Sequence, residues 1–101
     1  HQEELKKVLK LIKKFSLRNN SEFYFVYLPE YKRFKTNYNN SNYNLIKKVT
    51  HELEIQFIDT HNLIFKKENN PLDLFPFKLS GHYTDGGYRK IAELIYALTK
   101  N

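Results

Sequence analysis

Between Glu3 and Phe15 the apolar residues Leu5, Val8, Leu9, Ile12 and Phe15 recur three and four positions apart, with lysines between them. That spacing predicts an amphipathic helix with these five residues as its core face. Arg18-Asn19-Asn20-Ser21 ends the pattern with turn-forming residues. Phe23–Leu28 is then an unbroken aromatic and β-branched run stopped by Pro29. A run apolar on both faces predicts a buried strand of a parallel sheet. The polar, Asn-rich stretch 32–42 predicts an exposed loop.

Leu45, Ile46, Val49 and Leu53 mark a second helical face, and Ile55–Ile58 a second short strand ending at Asp59. Strand, helix, strand predicts a βαβ unit whose right-handed crossover leaves the two strands adjacent and parallel. From His61 to Ser80 no period holds. With Pro71 and Pro76, and at this length, the segment reads as a functional loop rather than a simple connection. Tyr88, Ile91, Ala92, Ile95 and Leu98 then give the apolar face of a last helix.

The predicted order is α-β-α-β-loop-α, an α/β chain. Residues 1–101 are expected to be one domain or a fragment of a larger one. Two parallel strands are too few for a self-sufficient sheet. One strand edge and an apolar face are therefore expected to be uncovered, or covered by self-association.

Charge and composition narrow the field. Seventeen Lys and Arg against eleven Asp and Glu leave +6. Outside the first helix the cations are scattered, many in pairs such as Lys47-Lys48, Lys66-Lys67 and Arg89-Lys90, rather than set along one stripe. A solvated basic surface is favoured over a nucleic-acid footprint. The alternative function, a small basic binding module for single-stranded nucleic acid or another anionic partner, rests on one segment. There Tyr31, Phe34, Tyr38 and Tyr43 interleave with Lys32, Arg33 and Lys35. With no cysteine, neither a disulfide framework nor a zinc–thiolate site is available. No apolar run approaches the ~20 residues of a membrane span, and no signal-peptide pattern opens the chain. Methionine is absent throughout, so the chain is expected to be a segment of something longer. Composition does not fix a compartment.

All three glycines fall in the window Gly81-His82-Tyr83-Thr84-Asp85-Gly86-Gly87, which leads directly into the last helix. A histidine held on such a turn can be aimed into a cleft, a placement that suits a general base. Asp73, nine residues earlier, is a candidate to orient the imidazole as a triad carboxylate does. Asp59 ends a predicted strand, where open α/β sheets place ligand groups, but capping of the turn Thr60-His61-Asn62 is its favoured role. Asp85 reads as the N-cap of the last helix. Asp59, His61, His82 and Asp85 lack an i,i+4 ligand pair, which disfavours a metal site. His51 reads as a surface residue.

The run Phe77–Glu93 resembles the last conserved block of SGNH/GDSL-type hydrolases, in which a histidine is followed by a turn, a glycine and a helix bearing an Ile-Ala pair. Here His82, Gly87, Ile91 and Ala92 carry the match. The resemblance implies a three-layer, flavodoxin-like parallel sheet of which this chain supplies the C-terminal part. It also implies His82 as general base of a serine esterase or acyltransferase without cofactor. The substrates it implies are acyl esters, such as acetylated carbohydrates or lipids. Leu79 stands where that family places its triad Asp, three residues before the His. Asp73 in its place, a Ser–His dyad, and an inactive site are the alternatives. None of Ser16, Ser21, Ser41 and Ser80 has the strand-to-helix setting of a nucleophile, so the chain alone is expected not to hydrolyse esters.

Overall fold

The structure, a computed structural model, describes residues 2–34, 38–76 and 81–100. Its elements run α1 (Gln2–Arg18), β1 (Tyr24–Tyr27), a 3-10 turn (Tyr31–Phe34), α2 (Ser41–Glu52), β2 (Gln56–Asp59) and a one-turn helix α3 (Thr60–Leu63). Two more 3-10 turns (Phe65–Lys67 and Pro71–Leu74) and α4 (Asp85–Thr99) complete them. About 65% is helical, and β1 and β2 are hydrogen-bonded neighbours in a parallel two-stranded sheet, as the strand–helix–strand pattern predicts. The α/β class is thus established. Among the described residues no helix is long and apolar enough to cross a membrane. The chain forms two compact units, His1–Val26 with Asn39–Ile58, and Tyr27–Tyr38 with Asp59–Asn101.

In the first unit Leu9, Val49 and Ile55 are buried, and Leu5, Phe23, Phe25, Leu45 and Leu53 pack against them. Phe25 and Phe57 stack across the two strands at 5.9 Å. β1 is half-buried along its length rather than fully buried as its composition suggests. The predicted face of α1 is also corrected. Leu9 is buried and Leu5 partly so, while Val8, Ile12 and Phe15 are exposed. The buried side of α1 is instead a mixed row, Leu5, Lys6, Leu9 and Lys13. Lys6 pairs with Glu52 at 2.8 Å. Lys13 Nζ donates to the carbonyls of Leu53 and Glu54 at 2.6 and 3.1 Å. The last carbonyls of a helix attract a cation. Meeting that demand at the end of α2 turns the lysine edge of α1 inward and part of its apolar stripe outward.

Both helices of this unit close without glycine. Asn20 and Glu54 each take φ of 55°, and the residue after each donates back five positions, Ser21 to Ser16 and Ile55 to Thr50, both at 2.8 Å. Left-handed closure of this kind satisfies the terminal carbonyls.

In the second unit Ile64, Phe65, Leu74, Phe75, Tyr83 and Ile91 form the core, flanked by Tyr31, Phe34, Leu72, Leu94 and Ile95. Two expectations change. The segment after His61 builds core: Phe65 and Phe75 are among the most buried side chains. The stretch predicted as an exposed loop begins with a 3-10 turn whose Phe34 stacks on Phe65 at 5.5 Å, and α2 already starts at Ser41. On α4 Ile91 is buried and Ile95 partly so, but Tyr88, Ala92 and Leu98 are exposed.

Gly86 and Gly87 open α4 in different surroundings. A Cβ at Gly87 would meet the Leu74 carbonyl oxygen and Tyr83 Cβ, both at 3.1 Å, whereas at Gly86 the nearest atom is Thr84 Oγ1 at 3.8 Å. Gly86→Ala is expected to stabilise the protein by about 0.5–1 kcal/mol through helix propensity. Gly87→Ala is expected to destabilise it by about 1–2 kcal/mol through overpacking. Urea unfolding of the two variants checks the opposite signs.

Candidate functional site

The turn 81–84 feeds α4 and carries the candidate histidine. Gly81 takes φ of 137° with open space where a Cβ would stand, so conformation rather than crowding calls for glycine there. The next two side chains point opposite ways: His82 is exposed and Tyr83 buried. Tyr83 anchors the turn. Its ring lies 5.2 Å from both Phe65 and Phe75, and its hydroxyl donates to the carbonyl of Pro29, just beyond β1. Burial pushes this phenol well above the ordinary tyrosine range, so it remains a donor. Thr84 N–H donates to the Leu74 carbonyl at 2.7 Å.

Thr84, not Asp85, is the N-cap of α4. Its extended backbone (φ −69°, ψ 165°) lets Oγ1 accept from Gly87 N–H at 3.0 Å, and Asp85 becomes the first helical residue. Its carboxylate still sits at the positive end of the helix.

His82 is tethered on one side. Its Nδ1 lies 2.7 Å from the Tyr83 carbonyl oxygen. A carbonyl only accepts, so Nδ1 carries the hydrogen and the neutral ring keeps its lone pair on Nε2. Among the described residues Nε2 has no hydrogen-bond partner. The ring lies nearly parallel to that of Tyr88, with centroids 6.5 Å apart. Tyr88, read from sequence as a core position, instead flanks the imidazole.

Asp73 is exposed on the 3-10 turn Pro71–Leu74. The hydrogen on His82 Nδ1 is taken by the Tyr83 carbonyl, a backbone group able to orient the ring. Leu79 and Ser80 lie outside the described residues.

Asp59 ends β2 and accepts from Asn62 N–H at 3.1 Å, the capping role its position suggests. Thr60 Oγ1 donates to the Tyr27 carbonyl at 2.6 Å, tying the two strand ends together. His61 is buried with its ring 5.7 Å from Phe34. Burial first, then the nearby Arg33 and Lys66 cations, lower its pKa from 6.5 to about 4, with Asp59 acting in the opposite sense. His51 is exposed on α2. Among the described residues no three His, Asp or Glu side chains converge as a metal cage.

The rings of the aromatic and basic segment are engaged within the fold. Tyr31 meets Phe75 edge-on at 5.4 Å, and Tyr43 is buried. The Arg33 guanidinium lies 5.1 Å from the Tyr38 ring centre and 5.9 Å from that of Tyr27. Tyr38 donates to Glu30 at 3.0 Å, and burial together with that carboxylate pushes its pKa up to about 12. Stacked bases would have to displace these contacts. Lys35 lies outside the described residues.

No protein-family model matches the chain, and neither does any curated protein or solved structure.

His61 sets a pH dependence. Its folded-state pKa is depressed, so below about pH 6.5 the unfolded chain binds the proton first and stability falls. This contribution is expected to be complete above pH 6.5, to decline down to about pH 4, and to level off there. His61→Gln should flatten the difference between the two limbs. Thermal unfolding followed across that range, variant against parent, checks it.

Proposed function

We propose that this chain is the C-terminal part of an SGNH/GDSL-like α/β hydrolase, with His82 as general base. In this reading β1 and β2 are the last two strands of a flavodoxin-like, three-layer parallel sheet, and further strands pair at the open edge of the sheet. Those strands bring the nucleophilic serine and the oxyanion donors. Of the serines of this chain, Ser16 lies within α1, Ser21 follows it and Ser41 opens α2, while Ser80 lies outside the described residues.

The serine oxygen attacks the ester carbonyl as its proton passes to His82 Nε2. The tetrahedral intermediate expels the alcohol, which takes that proton. Water, or a second alcohol in acyl transfer, then repeats the sequence on the acyl-enzyme. Acyl esters are the substrate class, with acetylated carbohydrates and lipids as the members the resemblance suggests.

The observation that supports this reading most is the one-sided tether of His82. A backbone carbonyl holds Nδ1–H, and among the described residues Nε2 of this exposed side chain has no hydrogen-bond partner. An imidazole in that state is oriented and ready to take a proton.

His82→Ala in the full-length protein is expected to lower turnover of p-nitrophenyl acetate by about 10³-fold or more, with the melting temperature unchanged. Unaltered turnover would remove the catalytic role. Asp73→Asn separates the two possible orienters. Turnover within about twofold of the parent leaves the Tyr83 carbonyl as orienter, whereas a loss near that of a triad carboxylate, about 10⁴-fold, restores Asp73.

A further inference from the structure

The outward side of α1 combines an apolar row with a cationic border. Val8, Leu11, Ile12 and Phe15 are spaced to share one helical face. They stand 53, 67, 42 and 69% exposed. Lys7, Lys14 and Arg18, all exposed, border the row on the side away from the docked face. Next along the same surface is a shallow cleft of about 340 Å³, lined by Lys10, Lys13, Lys14, Leu17, Arg18 and Leu53. The only acids of α1 are Glu3 and Glu4, confined to its first turn.

Charge selects the occupant. Pairing this face with a second copy would set side by side two helices that each carry six Lys and Arg against two Glu, a net like-charge arrangement that opposes association. Single-stranded nucleic acid would answer the cations but not the row, in which three of four side chains are aliphatic and offer no ring for a base. A bilayer with anionic headgroups answers both, because its phosphates meet the lysines while aliphatic side chains enter the acyl boundary beneath.

We propose that α1 is a peripheral anchor that lies in the plane of an anionic membrane surface. Val8, Leu11, Ile12 and Phe15 enter the interface, and Lys7, Lys10, Lys14 and Arg18 contact lipid phosphates. This inference stands independently of the proposed hydrolase chemistry.

Sedimentation of the protein with vesicles tests it. The protein is expected to pellet with phosphatidylcholine–phosphatidylglycerol vesicles and not with phosphatidylcholine alone, and to be released by salt. Joint replacement of Lys7, Lys10 and Lys14 by Gln is expected to weaken binding about 100-fold at low ionic strength, from roughly fivefold per cation. Leu11→Ser with Phe15→Ser is expected to weaken it more than about tenfold without lowering the melting temperature. No pelleting, or equal pelleting with both vesicle types, would overturn the proposal. Unchanged lipid binding by the Leu11/Phe15 variant would reduce it to attraction between charges and also overturn it. A marked loss of thermal stability in that variant would mean that the row is packed against protein. A molecular mass that rises with concentration and falls in the same variant, without vesicle binding, would assign the face to a second copy.

Discussion

One buried tyrosine holds the candidate site in place. Tyr83 fills the centre of the second unit's aromatic core and donates its hydroxyl to the Pro29 carbonyl, 54 residues away in sequence. Pro29 has just ended β1, so this bond ties the turn before α4 to the carboxyl end of a strand. A buried carbonyl left without its donor would cost about 1–3 kcal/mol, and a phenol without its acceptor a comparable amount, so the pair is costly to break. The backbone that Tyr83 fixes is the one that presents His82. Its own carbonyl then takes the imidazole hydrogen. Position and tautomer of the histidine thus both follow from the residue beside it.

The same economy governs the glycines. Helix ends elsewhere in the chain use Asn20 and Glu54 in left-handed geometry, conformations that cost an ordinary side chain about 1–2 kcal/mol each. The glycines are kept for the α4 entry, where Gly81 supplies the reversal and Gly87 admits the Leu74 backbone at close range. Thr84 joins them by capping Gly87 while its own N–H donates to Leu74. These contacts fix a turn that carries an exposed side chain.

Sequence patterns made some of this legible. The two strands were readable because their apolar runs end sharply at Pro29 and Asp59, and the crossover rule then sets their direction. The Asp59 cap was readable because the residue and its turn are contiguous. The placement of His82 on the turn before the last helix was readable from the glycines around it. The face of α1 was not, because periodicity locates an apolar arc but not which part of it docks, and the carbonyls of Leu53 and Glu54 drew Lys13 inward. The segment after His61 hides its core for another reason. Its helices span a single turn each, too short for a period to emerge, so Phe65 and Phe75 gave no sign that they form a core. Tyr83 was masked by its neighbours, since an aromatic residue in a glycine-rich turn carries no periodic signal. Its burial depends on rings distant in sequence.

A two-stranded parallel sheet is marginal on backbone hydrogen bonds alone. In this protein the carboxyl ends of the strands are also secured by side chains. Thr60 Oγ1 grips the Tyr27 carbonyl, Asp59 caps the turn that follows β2, and Tyr83 grips Pro29. All three bonds lie within the second unit. Reinforcement concentrated at one end does little for the sheet as a whole, because it leaves both outer edges as they were. It does fix where the chain leaves each strand, and open α/β sheets build their sites beyond the carboxyl ends of the strands. Within the second unit these bonds fasten the turn that bears His82 to the segment that follows β1.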